Sequence, residues 1–83
     1  AQVIDLCRAL LAKDPWKKVS GILRTIEEEP ESVRWAVIGY ASAVLLKNAN
    51  GQAFEMIRSF SEPFYETKKA GLVASCFEVI HGT

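Results

Sequence analysis

The stretch VRWAVIGYASAVLL, residues 33–46, has only Arg34, Gly39 and Ser42 outside the apolar alphabet, and it sits in a chain of 83 residues. Wound as a helix at about 100° per residue, residues 33–47 set Val33, Ala36, Val37, Tyr40, Ala41 and Val44 on one broad face. That face alone satisfies a core. The opposite side carries Trp35, Ile38, Gly39, Ser42 and Leu46, with Gly39 and Ser42 forming a shallow seam where another backbone can approach closely. Two readings fit. Either this helix is the central post of the domain, covered on all sides by its own neighbours, or its second face is completed by a partner subunit, since an uncovered Trp-Ile-Leu patch is large for a monomer.

Working outward, helical spacing recurs on both sides. Val3, Leu6, Cys7, Leu10 and Leu11 repeat at i, i+3, i+4, i+7 and i+8, one stripe of a first helix. Asp14-Pro15 interrupts it and predicts a second helix with Asp14 as N-cap and Pro15 at N1, carrying Trp16, Val19, Ile22 or Leu23, and Ile26 inward. Pro30 ends that helix and starts the third, with Glu29, Glu31 and Ser32 well placed beside a positive helix N-terminus. Asn48-Ala49-Asn50-Gly51 has turn-forming composition. A fourth helix follows with Ala53, Met56, Ile57 and Phe60 inward; Ser61-Glu62-Pro63 breaks it. The fifth is predicted over about residues 67–80, with Ala70, Val73, Cys76, Phe77 and Ile80 inward and Gly82 at C′. The expectation is an all-α fold: residues 1–83 as a single compact bundle of about five short helices.

The composition is that of a folded soluble domain, about half apolar and a quarter charged. A chain of this length buries roughly 60% of its unfolded surface, for a stability on the order of 4–12 kcal/mol. Ten basic residues balance ten acidic ones, so no global field gathers nucleic acid or anionic lipid. Any such partner must be held by a local patch. Lys17, Lys18 and Arg24 on the outer side of the second helix, and Lys68-Lys69 before the fifth, are the two basic clusters; each can touch phosphate or simply be a solvated face. No segment reaches the roughly 20 apolar residues that span a bilayer, so no membrane partner is expected. Cys7 and Cys76 have no metal-ligand spacing and read as buried free thiols, which points to a reducing, cytoplasmic setting.

Chemistry is hard to find. There is no phosphate-cradling GxxxxGK[ST] loop, GxGxxG turn, HExxH helix or GxSxG elbow. Cys76 and His81 lie five apart, about 140° around a helix, and do not face each other as nucleophile and base. No catalytic, metal or cofactor residue is assigned. Pro63-Phe64-Tyr65 places two adjacent aromatics in a connection, where they either pin the core or anchor an interface.

Taken together, DLCRALLAKDPWKKVSGIL, EEPESVRWAVIGYASAVLLKN and FSEPFYETKKAGLVASCFEVI resemble the C-terminal helical region of clamp-loader small-subunit AAA+ ATPases, of the phage and prophage kind related to DNA polymerase III gamma/tau and replication factor C. The resemblance covers nearly the whole chain. It implies a collar domain that joins neighbouring subunits of the same or a related ATPase into a ring. Nucleotide hydrolysis, and contact with the sliding clamp and primed DNA, belong in that family to preceding modules. The chain opens at Ala1 with its helical pattern starting almost at once, consistent with a C-terminal piece of such an ATPase. The candidate interface, drawn from the helical wheel, is Trp35, Ile38, Gly39, Ser42, Leu46, Phe64 and Tyr65. The alternative is a free-standing helical adaptor that docks a partner helix or peptide in a groove.

Overall fold

The computed structural model describes residues 2–82. Five helices follow one another, α1 (Gln2–Ala12), α2 (Trp16–Thr25), α3 (Pro30–Lys47), α4 (Gly51–Ser59) and α5 (Lys69–His81). No strand occurs among the described residues. The all-helical expectation holds, and each of the five predicted helices is present.

Packing sorts the helices into three layers. α1 and α5 each touch all four other helices and form the middle. α2 lies on one side, against α1 and α5 alone, while α3 and α4 pair on the other. Leu6, Cys7 and Leu10 of α1 and Leu72 and Cys76 of α5 are completely buried, joined by Val19, Val33, Val37, Met56 and Phe60 from the outer layers. α3, about 27 Å long at 1.5 Å per residue, runs the depth of a molecule measuring 31 × 27 × 25 Å. It is nevertheless not the central post. Its neighbours α1, α4 and α5 cover only its inner side, and the bundle is centred on α1 and α5.

The helix ends follow local chemistry that differs in detail from the prediction. Asp14 does not cap α2. Lys13 takes a left-handed conformation (φ 56°), its N–H donates to the Leu10 carbonyl, and that of Asp14 donates to Ala9, which closes α1 with a Schellman pair of bonds. The Asp14 carboxylate then pairs with Lys18 at 3.0 Å, and Pro15 becomes the N-cap. Lysine in a left-handed position carries a Cβ clash that glycine lacks. Lys13→Gly is therefore expected to raise stability by about 0.5–1 kcal/mol, read as a higher urea midpoint with an unchanged slope.

α3 opens at Pro30 as predicted, and Asn50 caps α4 by accepting from the Ala53 N–H at 2.9 Å. α5 starts two residues later than expected, and its Gly82 cap is extended (φ −69°, ψ 153°) rather than left-handed. The buried face of α5 is also rotated from the predicted one: Leu72, Cys76, Val79 and Ile80 are buried, whereas Ala70 and Phe77 are exposed. A helix apolar on most sides has no strong preferred orientation of its own. Two contacts orient it. Lys69 Nζ donates to the carbonyls of Leu23 (2.8 Å) and Ile26 (3.1 Å) at the end of α2, tying the start of α5 to it. At Gly71, a Cβ would run into Thr67 Oγ1 and lie 2.9 Å from Phe64 Cδ1, so only glycine lets residues 64–67 close onto the helix.

Candidate interaction surface

The outer side of α3 is built by periodicity. Trp35, Gly39, Ser42 and Leu46 follow at intervals of four, three and four, which keeps them within a narrow arc of the helix, with Ala36 and Ala43 beside them. Trp35 is 60% exposed and Leu46 86% exposed, about 16 Å apart along the axis. Among the described residues nothing lies within 4 Å of where a Gly39 Cβ would be, so the seam between the two large side chains is open.

Two of the predicted residues, Ile38 and Phe64, sit differently from this stripe. Ile38 is half-buried and packs against the core from the stripe's edge, because its angle on the helix turns it toward the inner layer. Ser42 is half-exposed. Phe64, only 4% exposed, is a core residue rather than part of an exposed interface: its ring meets that of Phe60 edge-on, with centroids 5.9 Å apart. Of the aromatic pair in the connection, Phe64 pins the core and Tyr65, 73% exposed, stands outside it. Conversely Ala36, placed inward by the wheel, is exposed.

The end of the stripe nearest α5 is held by a polar knot that residue spacing alone did not reveal. Arg34 is buried, with its side chain 7% exposed. Its Nε and Nη2 donate to the two oxygens of Glu31 (2.9 and 3.1 Å), a bidentate fork one turn apart on α3. Its Nη1 donates across to the Phe60 carbonyl at 3.0 Å, and to that of Ser61 at 3.5 Å. Glu31 also accepts from the Phe64 N–H. Two side chains of α3 thus satisfy backbone groups that the end of α4 would otherwise leave unpaired. The hydrogen bonds from Arg34 hold the Glu31 carboxyl below its ordinary value, aided by the Phe64 N–H and the Arg34 charge. The Arg34 guanidinium carbon lies 4.6 Å from the centroid of the Trp35 ring, so the knot also braces the exposed indole.

On the far side of the molecule, α2 and α5 frame a small apolar groove of about 210 Å³, lined by Trp16, Ser20, Leu23, Arg24, Lys69 and Val73. Trp16 stands edge-on to Phe77 at 5.2 Å, and the Phe77 ring lies against His81 at 4.8 Å. The groove is too small for a typical ligand pocket of about 300–1,000 Å³, but it suits one anchoring side chain. The basic clusters of the sequence are broken up: Lys18 is paired with Asp14 and Lys69 is spent on carbonyls. Arg24 lines the groove, and Lys17, seven residues earlier, lies on the same side of α2.

Chemically reactive groups do not converge. A concavity of about 550 Å³ beside the α4–α5 connection has Glu62, Glu66 and Tyr65 as its titratable side chains. Both cysteines are free and buried. Burial pushes the Cys7 thiol up to about 11, and burial together with neighbouring Cys7 pushes Cys76 up to about 12, so both stay protonated, poor nucleophiles at neutral pH. His81, on the exposed end of α5, does not share their environment. Among the described residues no three His, Cys, Asp or Glu side chains gather as a metal site, and no helix is long and apolar enough to cross a membrane. No family model, curated protein or solved structure matches the chain.

Proposed function

We propose that this chain is an assembly domain that holds subunits together by apolar contact through the outer face of α3, and that it serves as the collar module of a clamp-loader-like AAA+ ATPase in cytoplasmic DNA replication. The observation that carries the assembly reading is the uncovered Trp35–Leu46 stripe. A mid-helix glycine costs about 1 kcal/mol relative to alanine, and among the described residues nothing crowds the space a Gly39 Cβ would fill. Close approach of a partner backbone gives that glycine a purpose. Trp35, with its indole braced by Arg34, is the kind of rigid aromatic anchor on which binding energy concentrates. The clamp-loader assignment rests on the sequence resemblance. In that reading the partners are other ATPase subunits, and the clamp and primed DNA are engaged through other modules of the parent.

The test is gel filtration with light scattering on the full-length chain. A discrete oligomer is expected, and Trp35→Glu is expected to convert it to monomer while the helical circular-dichroism spectrum is retained. Gly39→Ala separates the two roles of the seam: it is expected to stabilise the folded monomer by about 1 kcal/mol and at the same time to weaken assembly. A parent that is monomeric at all concentrations would sink the proposal. Tryptophan fluorescence that responds to an added partner helix, in a chain that stays monomeric, would point instead to the adaptor reading.

A further inference from the structure

We infer that the groove between α2 and α5 docks an acidic peptide segment of a partner protein, gripping one bulky apolar side chain that carboxylates flank; this surface is separate from the outer face of α3 and does not depend on assembly there. The floor of the groove is apolar, from Trp16, Leu23 and Val73, and both charged residues that line it, Arg24 and Lys69, are cations. Three other cations are spent on carboxylates close by in the chain, Lys18 on Asp14, Arg34 on Glu31 and Arg58 on Glu55. Among the described residues neither Arg24 nor Lys69 has such a partner. The carboxylates that follow Arg24 in the chain, Glu27 and Glu28, line a different concavity with Gln2 and Thr25, and those that precede Lys69, Glu62 and Glu66, line the one beside the α4–α5 connection. The groove is therefore left with positive charge around an apolar floor, which an acidic partner complements.

The lining is also ordered in advance. Lys69 Nζ is fixed by the Leu23 and Ile26 carbonyls, which use two of its three donors and leave its charge uncancelled. Trp16 is held edge-on against Phe77. A cation and an indole already in place lose little freedom when a ligand arrives, so less of the contact energy is consumed in binding. At about 210 Å³ the groove has room for one anchoring side chain, and a single buried anchor is where a short contact concentrates its affinity. A nucleic-acid backbone would meet the same two cations and leave the apolar floor unused, so peptide carboxylates around an apolar residue are the better match.

The chain's two tryptophans supply the readout, since their indole N–H groups give separate signals in a nitrogen–proton NMR spectrum, Trp16 for the groove and Trp35 for the outer face of α3. The probe is a synthetic peptide carrying one Phe between runs of Asp and Glu. It is expected to shift the Trp16 signal saturably and to leave that of Trp35 in place. Replacing its Phe by Ala, or its acids by Asn and Gln, is expected to weaken binding about tenfold or more. Arg24→Glu, a change at an exposed residue, is expected to weaken it as much while the helical circular-dichroism spectrum is retained. Lys47→Glu, on a helix that does not touch α2, is expected to leave binding unchanged. No binding, undiminished affinity in Arg24→Glu, or a peptide that shifts Trp35 instead overturns the inference and leaves assembly through α3 standing. An oligothymidylate that shifts Trp16 at the same concentrations as the peptide also overturns it, in favour of a phosphate site.

Discussion

Phe60→Ala is expected to cost about 3–5 kcal/mol, much of the roughly 4–12 kcal/mol available to a domain of this size. Phe60 is completely buried where α4 ends, and its ring supports the edge of Phe64. Removing it opens a cavity beneath the connection to α5 and takes away the surface on which Phe64 rests. The lost burial and the lost aromatic pair add to the same loss. Urea unfolding followed by circular dichroism measures this directly, and Phe60→Leu, which keeps most of the volume, is expected to lose less than about 1.5 kcal/mol. A small effect from the alanine variant would mean that the α4–α5 joint does not fold as one unit with the core.

Arg34→Ala is expected to cost about 1–3 kcal/mol, because it leaves the buried Phe60 carbonyl without its donor. The loss has two sources: the Phe60 carbonyl loses its donor, and the Glu31 carboxylate loses both arms of the fork. Arg34→Lys preserves the charge but supplies no planar fork, so it is expected to recover only part of the loss. The pH dependence has a definite sign. Because the folded-state Glu31 carboxyl titrates below its ordinary 4.5, the unfolded chain binds the proton more readily, and stability rises with pH in that interval. Its contribution is fully present above the unfolded value and is lost as pH falls through the lower folded value. Urea midpoints between about pH 6 and pH 3 are therefore expected to fall more steeply for the parent than for Glu31→Gln. Phe60 and Arg34 meet at the same carbonyl, so the double variant is expected to lose less than the sum of the two single ones.

The candidate surface was only partly legible before the chain was folded. The spacing of Trp35, Gly39, Ser42 and Leu46 put them on one side of α3, and that side is the open one. The same wheel placed Ala36 inward and could not divide Phe64 from Tyr65, since adjacent loop residues carry no periodicity. Phe64 is drawn in because Glu31 accepts from its backbone N–H and because Gly71 leaves room for its ring. The Glu31–Arg34 pair had an ordinary signature, opposite charges three apart on a helix, which reads as a surface pair. Its burial depends on residues 60 and 61, more than twenty-five positions away. Likewise the groove on α2 draws Val73 and Lys69 from the other end of the chain.

The amino-acid sequence by itself determined five helices, most of their breaks, the buried stripe of α1 and the stripe on α3 that carries Trp35, because helix formation and amphipathic spacing are settled within about four residues of each position. Which helix stands at the centre, which way the nearly uniform α5 turns, and which charges are buried were decided only by the tertiary structure. Those outcomes depend on contacts between distant segments, where a backbone carbonyl needing a donor or a glycine leaving room outweighs any local preference.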